Sequence, residues 1–189
     1  MVFSSCTFLF YFLPIFLIAY ILPKKQSSRN KILLCFSLIF YAWGEPIYVI
    51  LMIFSIFVNW KIAKTIDTIH DHNDKNIRKA HLIIAISFNL CLLIFFKYIS
   101  FIVIIVEQYV GETLPYAIIL KKIPLPIGIS FYSFQAISYV IDVYRKRVPH
   151  ESNLFDMGAY ISMFPQLIAG PIVRYEQIKK ELQIGRAHV

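Results

Sequence analysis

The chain has 189 residues, 58% of them hydrophobic and 16% charged, and its mean hydropathy is +0.65. Ordinary soluble domains carry about 25% charged residues, so this composition excludes a disordered chain and argues against a soluble domain. The formal net charge is +8. Because the basic residues fall in short segments between apolar runs, we expect them to face membrane lipids rather than nucleic acid.

Five apolar stretches follow one another along the chain, and they predict an all-α, multi-pass integral membrane protein. They cover residues 2–22, 32–60, 81–106, 123–144 and 157–173. About 20 apolar residues cross the roughly 30 Å hydrocarbon core as one helix. The first stretch has no basic region before it and no small-residue cleavage site after it, so we interpret it as a retained span rather than a signal peptide.

The second stretch contains the helix breaker Trp43-Gly44-Glu45-Pro46, which leaves two alternatives. It forms either one kinked span or a hairpin with arms at residues 32–44 and 46–60. Basic loops collect on the cytoplasmic side of a membrane. The hairpin puts twelve basic residues on one side and two on the other, whereas the kinked span divides them six against eight. We therefore predict the hairpin, with the N-terminus and Glu45 on the extracytoplasmic side of the membrane.

The last two stretches are not plain lipid-facing helices: we predict a span with an irregular entry at residues 123–144 and a broken or re-entrant segment at residues 157–173. Residues 123–144 begin with two prolines and a glycine, and residues 157–173 are interrupted at Phe164-Pro165 and Gly170-Pro171. Irregular backbone at membrane depth is tolerated only where protein or a water-filled cavity satisfies its polar groups. We therefore expect residues 157–173 to lie beside an internal cavity.

Polar side chains in and beside these two segments are the candidates for lining that cavity. Four recur at helical spacing on one face, and two belong to the broken segment or follow it. The candidates are Gln135, Ser138, Asp142, Arg145, Gln166 and Arg174. The alternatives are a polar helix–helix contact in which Asp142 pairs with Arg145, and an interfacial anchor at Arg174.

Histidine and cysteine patterns indicate neither a metal site nor a conventional catalytic motif. None of the five histidines (His70, His72, His81, His150 and His188) lies in the interior of an apolar stretch, since His81 is only the first residue of the third one, so no buried general base is evident. His70 and His72 have aspartates nearby, and we favour a solvated loop over a metal site there. The three cysteines lie in apolar runs, which predicts small buried hydrophobic residues.

Several long motifs carry a family resemblance. They are MVFSSCTFLFYFLP at residues 1–14, RNKILLCFSLIFYAWGEP at 29–46, FFKYISF at 95–101, LPIGISFYSFQAISYVIDVYR at 125–145 and YISMFPQLIAGPIVRY at 160–175. Their order and their amino-acid sequences resemble the N-terminal part of the membrane-bound O-acyltransferase family, in its alginate O-acetylation branch. The resemblance covers residues 1–182.

This resemblance implies a helical ring around a tunnel in the bacterial inner membrane. Such proteins pass an acetyl group from a cytoplasmic thioester donor to an extracytoplasmic polysaccharide, with periplasmic acetyltransferases as partners and no bound cofactor. The catalytic histidine of the family lies beyond position 189, so no catalytic residue is carried over. We therefore expect this polypeptide to be an N-terminal fragment that is inactive on its own.

The end of the chain departs from the family. Residues 184–189 (IGRAHV) can be encoded by ATC GGA AGA GCA CAC GTC, which is a common short-read sequencing adapter. We expect this tail to be a sequencing artefact and His188 to have no role. Two other functions fit the composition: a piece of a secondary transporter, which also uses broken helices, and a small membrane scaffold without catalysis.

Overall fold

The computed structural model describes residues 5–69, 75–110, 120, 123–169 and 173–178. Every regular element in these ranges is helical, so the predicted all-α class is confirmed. A π-helical turn at Phe8–Phe12 leads into α1 (Leu13–Ile21), and α2 covers Gln26–Gly44. Then follow α3 (Tyr48–Thr68), α4 (Lys75–Val110), α5 (Ile129–Tyr144), α6 (Leu154–Ser162) and α7 (Phe164–Ala169).

The second apolar stretch reverses direction between α2 and α3. Gly158 of α6 shows this, because an ideal Cβ placed there would lie 3.2 Å from the Leu34 methyl carbons of α2 and 3.8 Å from Ile56 Cγ2 of α3. In one continuous helix, Leu34 and Ile56 would be roughly 33 Å apart at 1.5 Å per residue. The chain therefore folds back at Glu45–Ile47, which is the hairpin alternative.

The basic segments meet at one end of the molecule. Arg78, near the start of α4, donates from Nη2 to the Tyr144 carbonyl oxygen at 2.9 Å and from Nε to the Ile66 carbonyl oxygen at 3.2 Å. At the opposite end, the Tyr48 hydroxyl beside the hairpin turn donates to the Pro124 carbonyl oxygen at 3.2 Å. The structure thus separates a basic end from a hairpin end.

The helices do not begin and end where the apolar stretches do: some extend beyond the apolar residues, and one is shorter than its apolar stretch. Helix α3 continues through Lys61 and Lys64 to Thr68, and α4 begins at Lys75, because lysine and arginine are good helix formers outside an apolar environment. The predicted span at residues 123–144 is helical only from Ile129, since the prolines and Gly128 keep the preceding residues irregular. Hydropathy therefore identifies the apolar part of a helix rather than the residues at which the helix begins and ends.

Two of the described helices, α3 and α4, are long and apolar enough to cross a membrane. Only 11% of the most apolar window of α4 is buried inside the chain, so its apolar side chains face outward. That arrangement suits lipid as the surrounding medium rather than water. Cys6, Cys35 and Cys91 are exposed on the helices, so the expectation that they are buried is wrong. An apolar run in the sequence does not show whether its residues lie in the protein core or on a lipid-facing surface, and these cysteines lie on the surface.

Helix α6 lies at the centre of the described part, and its residues 156–162 are all buried. It ends at Met163, whose φ of −50° and ψ of 108° interrupt the helix before α7. The predicted break in this segment is present, one residue before Phe164-Pro165, whereas Gly170-Pro171 lies outside the described residues. Irregular backbone here is enclosed by protein, as the membrane setting requires.

An aromatic cluster attaches the N-terminal helix to this centre. The rings of Phe8, Phe12 and Phe16 pack at centroid distances of 5.3–6.1 Å against the Phe164 ring, with interplanar angles of 68–90°. Edge-to-face contacts of this kind add about 0.5–1.5 kcal/mol each beyond the area they bury. The π-helical turn and α1 are therefore both attached through aromatic rings to Phe164, the first residue of α7.

Candidate functional site

The start of helix α5 depends on a glycine. Gly128 is the N-cap residue, with φ of +76°, a left-handed conformation that costs other residues about 1–2 kcal/mol. A Cβ at this position would also come within 2.6 Å of Leu167 Cδ2. Glycine therefore allows both the turn and the close approach of α5 to α7.

Helix α5 carries a row of buried polar side chains. Tyr132, Gln135, Tyr139 and Asp142 recur at spacings of three, four and three residues, which puts them on one helix face, and each is at most 3% exposed. From Tyr132 to Asp142 the row is about 15 Å long at 1.5 Å per residue. We call these four residues the polar row. It crosses the interior from the hairpin end toward the basic end.

The middle of the polar row joins α5 to α7. Gln135 Nε2 donates to Gln166 Oε1 at 2.7 Å. Among the described residues, five buried side-chain atoms have no hydrogen-bond partner: Tyr41 Oη, Tyr132 Oη, Ser133 Oγ, Gln135 Oε1 and Asp142 Oδ2. Four of the five belong to α5. A buried polar atom without a partner costs about 1–3 kcal/mol, so their concentration on one helix is a functional signal.

Asp142 closes the row at the basic end, where the chain turns. After α5, the N–H of Lys146 donates to the Val143 carbonyl oxygen and the N–H of Arg147 to the Asp142 carbonyl oxygen, each at 3.0 Å. This is a Schellman motif, with Lys146 at φ +57° in the place that glycine usually takes. The turn brings Arg147 Nη1 to 3.8 Å from Asp142 Oδ1.

Glu151 joins several elements next to the row. The Tyr175 hydroxyl donates to Glu151 Oε2 at 2.6 Å, the N–H of Glu151 donates to the Tyr139 hydroxyl at 2.8 Å, and Trp60 Nε1 donates to the Glu151 carbonyl oxygen at 2.7 Å. Burial, and then the hydrogen bond to Glu151, raise the pKa of Tyr175 above its usual range. Tyr175 therefore remains a donor, and the carboxylate accepts a charge-assisted hydrogen bond.

A histidine–aspartate pair lies at the same end. His150 Nδ1 is 2.8 Å from Asp67 Oδ2, and the backbone N–H of His150 donates to the same oxygen at 3.1 Å. A carboxylate that orients an imidazole is the arrangement found in general-base dyads. Here the double contact ties the end of α3 to the segment after α5, and both side chains are partly exposed.

The structure brings only some of the predicted site residues together. Gln135 contacts Gln166, and Asp142 is buried in the same row. Ser138 is half-buried beside the row, and Arg145 and Arg174 are exposed. The ion pair of Asp142 is with Arg147, so its expected pairing with Arg145 is wrong: the Schellman turn directs Arg147 back onto the carboxylate.

His70, His72 and His188 lie outside the described residues. Within the ranges that the structure describes, no three histidine, cysteine or acidic side chains are grouped as metal ligands. His81, on α4, places Nδ1 2.8 Å from the Ile77 carbonyl oxygen within its own helix.

Sequence reasoning missed residues that carry no formal charge or lie in loops. Residue type alone does not distinguish Tyr132 and Tyr139 from the other aromatic residues of the apolar runs, although their helical spacing with Gln135 and Asp142 is a signal present in the sequence. Glu151 carried no local signal, because its partners come from three separate parts of the chain.

Comparison with known proteins gives similarity over the whole chain. It is 39% identical over 178 residues to a protein of Pseudomonas aeruginosa named "probable alginate O-acetylase", a match that covers 94% of this chain and 34% of that protein. A protein of the same name from Pseudomonas syringae pv. tomato is 40% identical over 188 residues, covering 100% of this chain and 36% of the relative. The peptidoglycan O-acetyltransferase of Helicobacter pylori is 28% identical, covering 97% of this chain and 39% of that protein.

The chain therefore spans about a third of the length of the curated relatives it matches. No family model matches the chain, and no solved structure matches it.

Proposed function

We propose a function on the premise that the chain belongs to the membrane-bound O-acyltransferase family, as its similarity to the alginate O-acetylases indicates. We infer that it is part of an enzyme that takes acetyl groups from a cytoplasmic thioester donor and transfers them across the bacterial inner membrane to an extracytoplasmic polysaccharide. The relatives are named for alginate and for peptidoglycan, which supports a glycan acceptor.

The observation that carries this proposal is the polar row of α5. An acetyl group that crosses a membrane needs a route whose polar groups are held inside protein, away from lipid. The row is buried, is about 15 Å long at 1.5 Å per residue, and includes side-chain atoms that the described residues leave unpartnered. We propose that it forms one wall of this route, with Gln166 beside it and Ser138, Arg145 and Arg174 toward its basic end.

Substitutions in the polar row of the full-length enzyme test this role. We expect Gln135→Leu to lower polymer-bound acetyl about tenfold or more, which corresponds to about 1.4 kcal/mol of barrier. Phe134→Leu is the matched control, since Phe134 is the neighbouring residue on α5 and is 42% exposed. Acetyl ester in the purified polymer is measured by NMR. Normal acetylation by the Gln135→Leu enzyme at normal protein level would refute a role for the row.

The acceptor is tested in the same cells. Acetyl esters are measured separately on secreted polysaccharide and on purified peptidoglycan, with and without the gene. The proposal expects a gene-dependent change in one glycan fraction. A normal acetyl content of both glycans in the deletion strain would contradict it.

We also propose that the 189 residues alone do not transfer acetyl. The two described histidines, His81 and His150, both lie outside the buried core, and the family uses a histidine that accepts a proton from the attacking hydroxyl. Transfer of radiolabelled acetyl from a thioester to a glycan by the purified chain would refute this statement. A full-length enzyme assayed in parallel controls for donor and acceptor quality.

Finally, we propose that the basic end faces the cytoplasm and that the N-terminus is extracytoplasmic. Twelve basic residues belong to the segments at this end, as the positive-inside rule requires. Alkaline phosphatase, which is active only outside the cytoplasm, is fused after Glu45 in one fusion and after Arg147 in another. We expect activity from the first fusion alone, and the reverse result would invert the topology.

A further inference from the structure

An apolar groove opens between helices α2, α3 and α6, on a different part of the molecule from the polar row. Its volume is about 450 Å³, within the range of roughly 300–1,000 Å³ typical of ligand sites. Ten residues line it, all apolar: Leu34, Leu38, Ile50, Ile53, Phe54, Ile56, Phe57, Leu154, Phe155 and Gly158. We call this the hairpin groove. It offers nothing that a glycan or an acetyl thioester headgroup could hydrogen-bond.

The walls of the hairpin groove remain open to the surroundings. Ile53, Phe54 and Phe155 on its walls are 48%, 52% and 49% exposed. Apolar surface of this extent is costly in water and is stable in contact with an acyl chain. The groove therefore suits a hydrocarbon occupant.

Two lysines mark one end of the groove. Lys31 Nζ lies 5.3 Å from the ring centroid of Phe155, and Lys61 Nζ lies 5.2 Å from that of Phe57. Both rings line the groove, so both ammonium groups stand at its rim. Neither lysine makes an ion pair with any of the residues that the structure describes. Their charge is available to an anion that arrives with the occupant.

The two lysines lie at the same level on the hairpin. Lys31 lies before the end of α2, and Lys61 lies after the start of α3, by the same number of residues. At 1.5 Å per residue, both lysines are therefore about 20 Å from the turn between the two helices. From Lys61 to Ile50 the groove is about 16 Å long by the same rise. One leaflet is half of the roughly 30 Å hydrocarbon core. The groove therefore has the depth of one leaflet, with the positive charge at its headgroup level.

From this arrangement we propose that the hairpin groove binds an anionic phospholipid, with one acyl chain along α2 and α3 and its phosphate at Lys31 and Lys61. The charge at the rim decides among the possible occupants. An apolar helix from a longer chain or from a second copy would fill the groove but would leave the two ammonium groups without an anion. The proposal is independent of the acetyl-transfer function.

Native mass spectrometry of the chain purified from bacterial membranes tests the headgroup. The probes are phosphatidylglycerol and phosphatidylcholine with identical acyl chains. We expect selective retention of phosphatidylglycerol, and we expect Lys31→Gln with Lys61→Gln to lower it about ten- to thirtyfold, the order expected for two basic residues near an anionic surface. The control pair Lys24→Gln with Lys25→Gln removes the same charge from exposed positions that do not line the groove.

A second pair of variants tests the acyl chain. Ile53→Trp fills the groove from its wall, whereas Ile39→Trp adds the same bulk on α2 outside it, and both isoleucines are 48% exposed. We expect Ile53→Trp alone to abolish retention of both lipids, while far-UV circular dichroism shows unchanged helix content in both variants.

Several results would overturn the proposal. Equal retention of the two lipids by the wild type would remove the charge argument, as would an equal loss in the Lys24/Lys25 control pair. Dimers that dissociate on Ile53→Trp and carry no lipid would assign the groove to a second copy. Lipid retention by this chain that disappears in the full-length protein would assign it to a further helix of that protein.

Discussion

Asn59 and Asn89 bond to each other twice across α3 and α4, the two described helices that are long enough to span a membrane. Asn89 Nδ2 donates to Asn59 Oδ1 at 2.8 Å, and Asn59 Nδ2 donates to Asn89 Oδ1 at 3.2 Å. Each amide also donates to a carbonyl oxygen four residues earlier in its own helix, from Asn59 to Ser55 and from Asn89 to Ala85. Both side chains are buried, so this pair fixes the register of α3 against α4.

Removing one amide should cost more than removing both. We expect Asn89→Leu to destabilise the chain, because Asn59 then keeps a buried carbonyl oxygen without its donor. Paired amides in membrane proteins contribute about 0.6 kcal/mol on average and up to about 1.7 kcal/mol. A double-mutant cycle with Asn59→Leu, measured by unfolding in mixed micelles, should give a coupling energy in this range. The exposed Ser87→Ala on α4 is the control, and a coupling energy of zero would contradict the structure.

Gly128 should tolerate alanine much less well than Gly158 does. Gly128→Ala combines a left-handed φ of +76° with a Cβ 2.6 Å from Leu167 Cδ2, so we expect a loss of about 1–3 kcal/mol. In Gly158→Ala the new Cβ meets the Leu34 methyl groups at 3.2 Å and Ile56 Cγ2 at 3.8 Å, all of them ends of flexible side chains, and alanine favours the helix by about 0.5–1 kcal/mol.

The same unfolding assay ranks the two glycine variants. Adding Leu167→Ala to Gly128→Ala removes the methyl clash but keeps the backbone strain, so we expect only partial recovery. An equal loss of stability in the two glycine variants would show that the conformation of Gly128 is not the cause.

Lys146→Gly should stabilise the chain. Lys146 holds the left-handed position of the Schellman turn at φ +57°, a conformation that costs a residue with a Cβ about 1–2 kcal/mol. Glycine removes this cost but adds freedom to the unfolded chain, so the expected net gain is about 1 kcal/mol or less. Arg145→Gly, next along the chain at φ −76°, is the matched control and should be neutral or destabilising. A gain in the control variant alone would contradict the described turn.

Tyr175 should make the chain sensitive to alkali. Because the folded chain holds the pKa of Tyr175 above its usual range, its contribution to stability is complete below the unfolded value of about 10 and declines as the pH rises beyond it. Tyr175→Phe removes the ionisable hydroxyl group, and with it the one proton whose loss is coupled to unfolding. We expect the slope of unfolding free energy against pH above about 10 to become shallower by up to about 1.4 kcal/mol per pH unit.

Tyr20→Phe is the control for this titration, since Tyr20 lies at the partly exposed face of α1. The unfolding free energies of the wild type and both variants are compared between neutral pH and pH values above about 10, where an ordinary tyrosine side chain loses its proton. Identical alkaline slopes for Tyr175→Phe and the wild type would show that Tyr175 is not buried against Glu151.

Local sequence signals predicted the helical class and the principal breaks. Gly44 and Pro46 mark the turn between α2 and α3, and the Pro126-Ile127-Gly128 entry marks the start of α5, because these residues act through their own backbone. The polar row was predicted only at Gln135 and Asp142. Its tyrosines look apolar in a composition count, although helical spacing connects them to the two polar residues.

The other contacts of the site and of the helix packing depend on tertiary structure, so local sequence does not predict them. No local pattern shows that Arg147 rather than Arg145 reaches Asp142, since the choice follows from the Schellman turn. Asn59 and Asn89 stood in apolar runs as uncharged amides, and only the packing of α3 on α4 reveals why they are there. Glu151 likewise depends on Trp60 and Tyr175, which are far away along the chain.

The buried position of α6 constrains how the chain is inserted during synthesis. Its nine residues are only about 14 Å long, too short for the insertion machinery to treat as a span of the roughly 30 Å core. Asp156, in its first turn, accepts a hydrogen bond from Asn30 of α2 at 2.9 Å. Helix α2 emerges from the ribosome before α6, so the hairpin can already be in the bilayer when α6 arrives and can give it a protein surface to enter against. The order of the helices along the chain therefore allows the surface that α6 packs against to form before α6 is synthesised.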